Sequence, residues 1–80
     1  GNTALHWAAA RDYCDIVEFL VKSSASLSIK NNSGSTPLHS AAANGSTRAL
    51  KILLQSGVDL SVQDEDGLTA LDIASKRISN

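Results

Sequence analysis

Two histidines, one cysteine and a run of acids are the residues of this chain that invite a chemical reading. His6 and His39 are nitrogen donors of the kind zinc takes, but zinc ligands lie within about 2 Å of a single ion, with cysteines or carboxylates completing the shell. The two stand 33 residues apart in matching contexts, Thr3-Ala4-Leu5-His6 and Thr36-Pro37-Leu38-His39. A recurrence of that kind sets them in equivalent environments about 10 Å apart, one helix spacing, rather than around one ion. The fitting role is local: each imidazole hydrogen-bonds its threonine hydroxyl and nearby backbone, tying neighbouring units together. Cys14 beside His6 suggests a thiol nucleophile, which needs a paired base and an electropositive pocket. Its near neighbours are Asp12 and Asp15, so it reads as a small filler or a surface thiol. Asp64-Glu65-Asp66 does not continue through the roughly twelve residues of a calcium loop. It reads as turn capping, with an acidic tip facing a basic partner as its functional use. Gly34 and Gly67 stand alone, with no lysine at the spacing of a phosphate cradle. No catalytic, cofactor or metal site is expected.

The elements that position these residues follow from a repeat. Gly1, Gly34 and Gly67 are 33 residues apart, as are Thr3, Thr36 and Thr69; Leu5, Leu38 and Leu71; and Ala8, Ala41 and Ala74. His6 matches His39, and the third copy carries Asp72. A fixed period of this size marks a solenoid whose units stack on their neighbours. Thr36 can cap a helix with its hydroxyl, and Pro37 sits where no N–H partner is needed. Ala8-Ala9-Ala10 and Ala41-Ala42-Ala43 make a thin first helix that neighbours can approach closely. Asn44-Gly45 then breaks the chain, and Asp12 stands in the place of Gly45, being tolerant of positive φ. A second helix follows, with Ile16, Val17, Leu20 and Val21 in one copy and Leu50, Leu53 and Leu54 in the other forming an apolar face. Glu18, Lys22 and Lys51 stay in water. Gly57 is a left-handed C-cap in the second copy, and Ser24 takes that place less favourably in the first. The stretches Leu27 to Ser33 and Leu60 to Asp66 carry no helical pattern. Each places Asn31 or Asp64 three before a glycine, which is turn chemistry and predicts a projecting, hairpin-like loop.

Gly34-Ser35-Thr36-Pro37-Leu38-His39-Ser40-Ala41-Ala42 and Ile52-Leu53-Leu54-Gln55-Ser56-Gly57 resemble the ankyrin repeat family, and the resemblance covers essentially the whole chain. It implies an all-α solenoid of helix-turn-helix units joined by hairpin-like loops, and the binding of proteins through hairpin tips and the concave face of the first helices. The units run 1–33, 34–66 and a partial 67–80 within a single repeat domain. Ser28 and Ser61 stand where the family commonly carries a hairpin asparagine that is hydroxylated in some members, so that modification lacks its usual acceptor here. Asp72 marks the third copy as atypical, the last of its array. Two complete units and the opening of a third fall short of the roughly three that such arrays need to stand alone. The chain therefore reads as an excerpt from a longer array, with cut ends exposing Leu5, Leu71 and Ile73.

Composition narrows the partner. Seven basic residues against eight acidic give a net charge of −1, without the basic excess of a nucleic-acid binder. No basic stretch flanks a hydrophobic anchor, so membrane insertion is not expected. A single cysteine without a signal peptide fits a reduced, intracellular protein, cytoplasmic or nuclear. Small aliphatics suit packed helices better than a ligand cavity, so no small-molecule substrate is expected. The partner implied is another protein or a peptide.

Positions that differ between units while their neighbours repeat are those the fold does not dictate. They are Asn2, Ser35 and Leu68 after the glycines; Asn32, Ser33, Glu65 and Asp66 at the tips; and Arg11, Asn44 and Arg77 at first-helix ends. Trp7, with Ser40 and Ile73 at the matching places, is either a binding hot spot or an indole bridging two units. The leading function is a protein-interaction module. The alternative is a targeting or regulatory segment of a larger enzyme or lipid-handling protein.

Overall fold

The first helix of each unit begins at a threonine whose side chain satisfies a backbone N–H that has no helical partner. The computed structural model describes residues 3–23, 27 and 29–78, the last without its side chain. It contains α1 (Ala4–Ala10), α2 (Cys14–Lys22), α3 (Pro37–Ala43), α4 (Thr47–Gln55) and α5 (Ala70–Ile78), with no strand among the described residues. Thr3 opens α1 and Thr36 opens α3, each with the hydroxyl accepting from the backbone of the histidine three residues on. Pro37 occupies the first turn of α3 and is buried. Thr69 does the same for α5, accepting from the Asp72 backbone at 3.2 Å.

Helices α1, α3 and α5 pack side by side in one row, with α2 on α4 in a second row behind them. The close approach depends on small residues: Ala8, Ala9, Ala41 and Ala42 are 0–2% exposed. Leu5, Leu38, Val17, Ala49, Leu53 and Ala70 complete the core. Burial of each leucine or valine side chain among them contributes about 1.5–3 kcal/mol. The first-to-second helix turns sit at positive φ, 59° at Asp12 and 65° at Gly45, as the breaker pattern predicts. Gly57 likewise follows α4 at φ 83°. Its counterpart Ser24 lies outside the described residues.

The projecting loops follow the predicted turn chemistry. The Asn31 side-chain oxygen accepts from the Ser33 and Ser35 backbones at 2.9 and 3.0 Å, and that of Asp64 from Asp66 and Leu68 at the same distances. The two loops also touch, the Glu65 N–H donating to the Ser33 carbonyl at 3.2 Å. Gly34 makes that contact possible. It sits at φ 72°, and a Cβ there would lie 3.0 Å from the Glu65 backbone nitrogen. Gly34→Ala is expected to cost about 1–2 kcal/mol from left-handed strain alone, and more as the loops separate. A shift of the urea midpoint at constant slope measures it.

Three expectations are corrected. Leu5 is not exposed: at 3% it lies in the core with α2 and α3 over it, whereas Leu71 is 50% exposed as expected and Ile73 is half-buried against the core. Ile16 and Leu54 leave the predicted apolar face, at 45% and 38% exposed. The buried stripe of α4 is instead centred on Ala49 and Leu53, with Leu50 and Ile52 partly buried against the core. Ile16 is the copy of Ala49 one unit earlier and has no helix laid against it among the described residues.

Candidate functional site

Two of the contacts that fix the units to one another start from residues whose type looked chemical. The Thr3 N–H donates to His6 Nδ1 at 3.3 Å and the Thr3 hydroxyl lies 2.8 Å from the same nitrogen. Because a backbone N–H can only donate, Nδ1 accepts and the ring proton is assigned to Nε2. From there it donates to the Ser35 carbonyl at 2.7 Å, 29 residues on. His39 repeats the arrangement with Thr36 at 3.1 and 2.7 Å and reaches the Leu68 carbonyl at 2.8 Å. Both imidazoles are 1–2% exposed with both nitrogens engaged, so they are links between units and not donors to an ion. Asp72 keeps the local half of this device, accepting from the Thr69 N–H at 3.0 Å. An ionised carboxylate has no proton to donate forward.

The second contact was missed from sequence. Asp12 reaches out of the first turn and accepts from the Ala49 N–H at 2.8 Å, capping α4 from the neighbouring unit. Ser46 returns a bond to the Ala10 carbonyl at 2.9 Å. Aspartate is a strong N-cap acceptor, but a cap lent to a helix 37 residues on leaves no local pattern beyond the tolerance of positive φ.

Outside this framework lies the surface formed by the varying residues. Trp7 is 51% exposed, with the Tyr13 ring edge-on at 5.6 Å and the Arg11 guanidinium 4.6 Å from the indole centroid. Both of these ring contacts are made within its own unit. Ser40, at the matching position, is half-buried, and its carbonyl accepts from the Asn44 side chain at 2.8 Å. Arg11 and Asn44 are the C-caps of α1 and α3. Arg77 occupies the last turn of α5 and donates to the Ala43 carbonyl at 3.0 Å. Asn32, Ser33, Glu65 and Asp66 are exposed at the loop tips. Ser35 and Leu68 are half-buried, and their carbonyls are the ones the histidines hold. Asn2 and Ser28 lie outside the described residues. Tyr13, 42% exposed, was also missed. Comparing it with its copy Ser46 would have found it by the same rule that found Arg11.

The site residues therefore divide into a first-helix stripe, Trp7, Ser40, Arg11, Asn44 and Arg77, and a separate row of tips. The tips precede the N-termini of the first helices, while the two arginines and Asn44 stand at their C-terminal ends. An apolar cavity of about 150 Å³ opens between α3, α4 and α5, and Arg77 is the only ionisable group lining it. Cys14 is half-buried at the first position of α2. No group of three or more potential metal-ligating side chains converges among the described residues, and none of their helices is long and apolar enough to cross a membrane.

Two carboxylates are tuned by their turns. Asp72 is held below the usual carboxylate pKa first by the Thr69 N–H, then by the Thr69 hydroxyl, with a smaller pull from Lys76. Asp59 is lowered by the Ser61 hydroxyl and N–H. A depressed folded pKa gives stability that is complete above the unfolded value, about 4, and lost as pH falls through the folded one. In acid titration followed by circular dichroism, Asp72→Asn should flatten the loss of helicity below about pH 4. An unchanged slope there would remove Asp72 from the cap.

No curated protein sequence matches the chain. A family profile described as "Ankyrin repeats (3 copies)" matches residues 5–80. Such repeats are generally protein-interaction modules and typically non-catalytic. With threonine-capped first helices in one row, second helices behind them and turn-built loops at one edge, the chain belongs to the ankyrin repeat family.

Proposed function

We propose that this chain is an intracellular module that binds one partner protein through the first-helix stripe from Trp7 and Arg11 to Asn44 and Arg77, with the loop tips Asn32, Ser33, Glu65 and Asp66 at its edge. The observation that carries this reading is the state of Trp7. A large aromatic side chain is half in water, yet Tyr13 and Arg11 hold it in place. Tryptophan and arginine are the residue types that dominate binding energy when a partner covers them. Because the stack already fixes the backbone, little ordering is left to be done on binding. The partner is a protein or peptide rather than nucleic acid or a small substrate, given a net charge of −1 and a cavity with one ionisable group. The same surface would serve if the module is a targeting or regulatory segment of a larger enzyme or lipid-handling protein.

Affinity capture from cells with the full-length protein tests this. Trp7→Ala and Arg11→Ala should each reduce recovery of the partner by about tenfold, the effect of losing about 1.4 kcal/mol. Recovery that is equal for all three proteins would place the binding surface elsewhere.

A further inference from the structure

We propose that the segment bound by this surface is an extended acidic peptide, with two carboxylates about six residues apart, one held by Arg11 and the other by Arg77. The proposal rests on the partner-binding reading above and adds the chemistry of what is bound.

Arg11, Asn44 and Arg77 are one position repeated in three units, so they form a line across α1, α3 and α5. Packed helices lie about 8–10 Å apart, which sets the two arginines about 16–20 Å from one another. An extended chain rises about 3.3 Å per residue, so five or six residues span that distance.

Both arginines are already immobilised, by different means. The Arg11 guanidinium lies against the Trp7 ring, and Arg77 donates to the Ala43 carbonyl and lies over Gly45. Each contact occupies one face or one N–H of a group with five donors, so a fork that suits a carboxylate can still be offered. The only ion pair among the described residues is Glu18–Lys22, so none of their carboxylates is paired with either arginine. Lys76 adds positive charge beside Arg77, and the nearby Asp12 carboxylate is turned away to cap α4.

The opposite edge of the stripe has the opposite sign. Glu65 and Asp66 stand exposed at the tips, at the N-terminal ends of the first helices. An acidic segment is therefore drawn to the helix-end edge and repelled from the tip edge, which fixes its position across the surface. Trp7 and Ile73 stand one helical turn before Arg11 and Arg77, with Tyr13 against Trp7. Apolar surface therefore flanks the line of the arginines and calls for an apolar side chain near the acids.

The test is selection of a displayed library of random peptides on the immobilised chain. Enriched sequences are synthesised and titrated by the emission of Trp7, the only tryptophan. The expected result is peptides with two acids five or six residues apart and an apolar residue near at least one of them. They should shift Trp7 emission, weaken with added salt and lose about tenfold or more in affinity to Arg11→Glu, the effect of one charge-assisted bond pair. A melting curve of Arg11→Glu confirms that it folds, and Arg77→Gln should weaken the same peptides. Peptides without acidic bias that shift Trp7 emission and bind Arg11→Glu equally well would overturn the acidic partner and leave the surface standing. Basic peptides gathered at the tips, or no enrichment, would also overturn it. Peptides that leave Trp7 emission unchanged and bind Trp7→Ala as tightly would overturn both the acidic partner and the surface.

Discussion

Leu53→Ala lowers the unfolding free energy by about 2–5 kcal/mol, toward the upper end of what truncating a buried leucine costs. Leu53 is 0% exposed in the middle of α4, where the first and second rows meet, and core neighbours surround it on every side. The removed atoms lose their burial, and the space they leave cannot close, because the helices around it are already held by Ala41, Ala42 and Ala49 at close approach. A domain of this size has a total stability of about 5–15 kcal/mol, so the variant should be largely unfolded at moderate urea. Leu54→Ala, one residue on and 38% exposed, should cost less than about 1 kcal/mol. Equilibrium urea unfolding of the pair separates the two positions. Equal losses would mean that the buried stripe of α4 has been drawn in the wrong register.

His39→Ala should cost about 2–4 kcal/mol for a different reason. The ring takes part in the Thr36 capping box and donates to the Leu68 carbonyl, all within buried structure. Each bond is worth about 0.5–1.5 kcal/mol net, and each buried group left without its partner adds about 1–3 kcal/mol of lost hydration. His39→Asn discriminates the two halves of the role. An amide oxygen can still accept from Thr36, as the Asp72 carboxylate accepts from Thr69, but the shorter side chain leaves the Leu68 carbonyl unmet. Its loss should therefore fall between wild type and alanine. If asparagine and wild type unfold at the same urea concentration, the link to Leu68 contributes nothing. His6→Ala offers the parallel case in the first unit, through the Ser35 carbonyl.

The elements that repeat were legible, and those that act between units were not. Thr36, His39 and Gly57 announce their roles because capping and left-handed termination are decided within a few residues of chain. Asn31 and Asp64 announce theirs for the same reason. Periodicity along one helix could not show which of Ile16, Val17, Leu53 or Leu54 meets a neighbour, since that depends on how the helices of different units pack. Ala49 is fully buried, yet it is too small to stand out in a hydrophobic pattern. Asp12 was half-read for a related cause: its φ is local, but its carboxylate is used by α4 in the next unit. Arg77 likewise varies between copies yet caps the end of α3, so a residue chosen for a partner also serves the stack. Leu5 shows that a hydrophobic residue near one end of a repeat is covered by its own unit and the next.

On the proposed function Trp7 and Arg11 carry recognition, while Leu53 carries stability. Partner affinity and melting temperature, measured together for the Trp7→Ala, Arg11→Ala double variant and for Leu53→Ala, separate the two roles. The double variant should melt within a few degrees of wild type but bind at least about tenfold more weakly. Leu53→Ala should melt far lower yet bind normally at temperatures where it is folded. Affinity that follows melting temperature through both proteins would mean that Trp7 and Arg11 act on the fold and not on the partner.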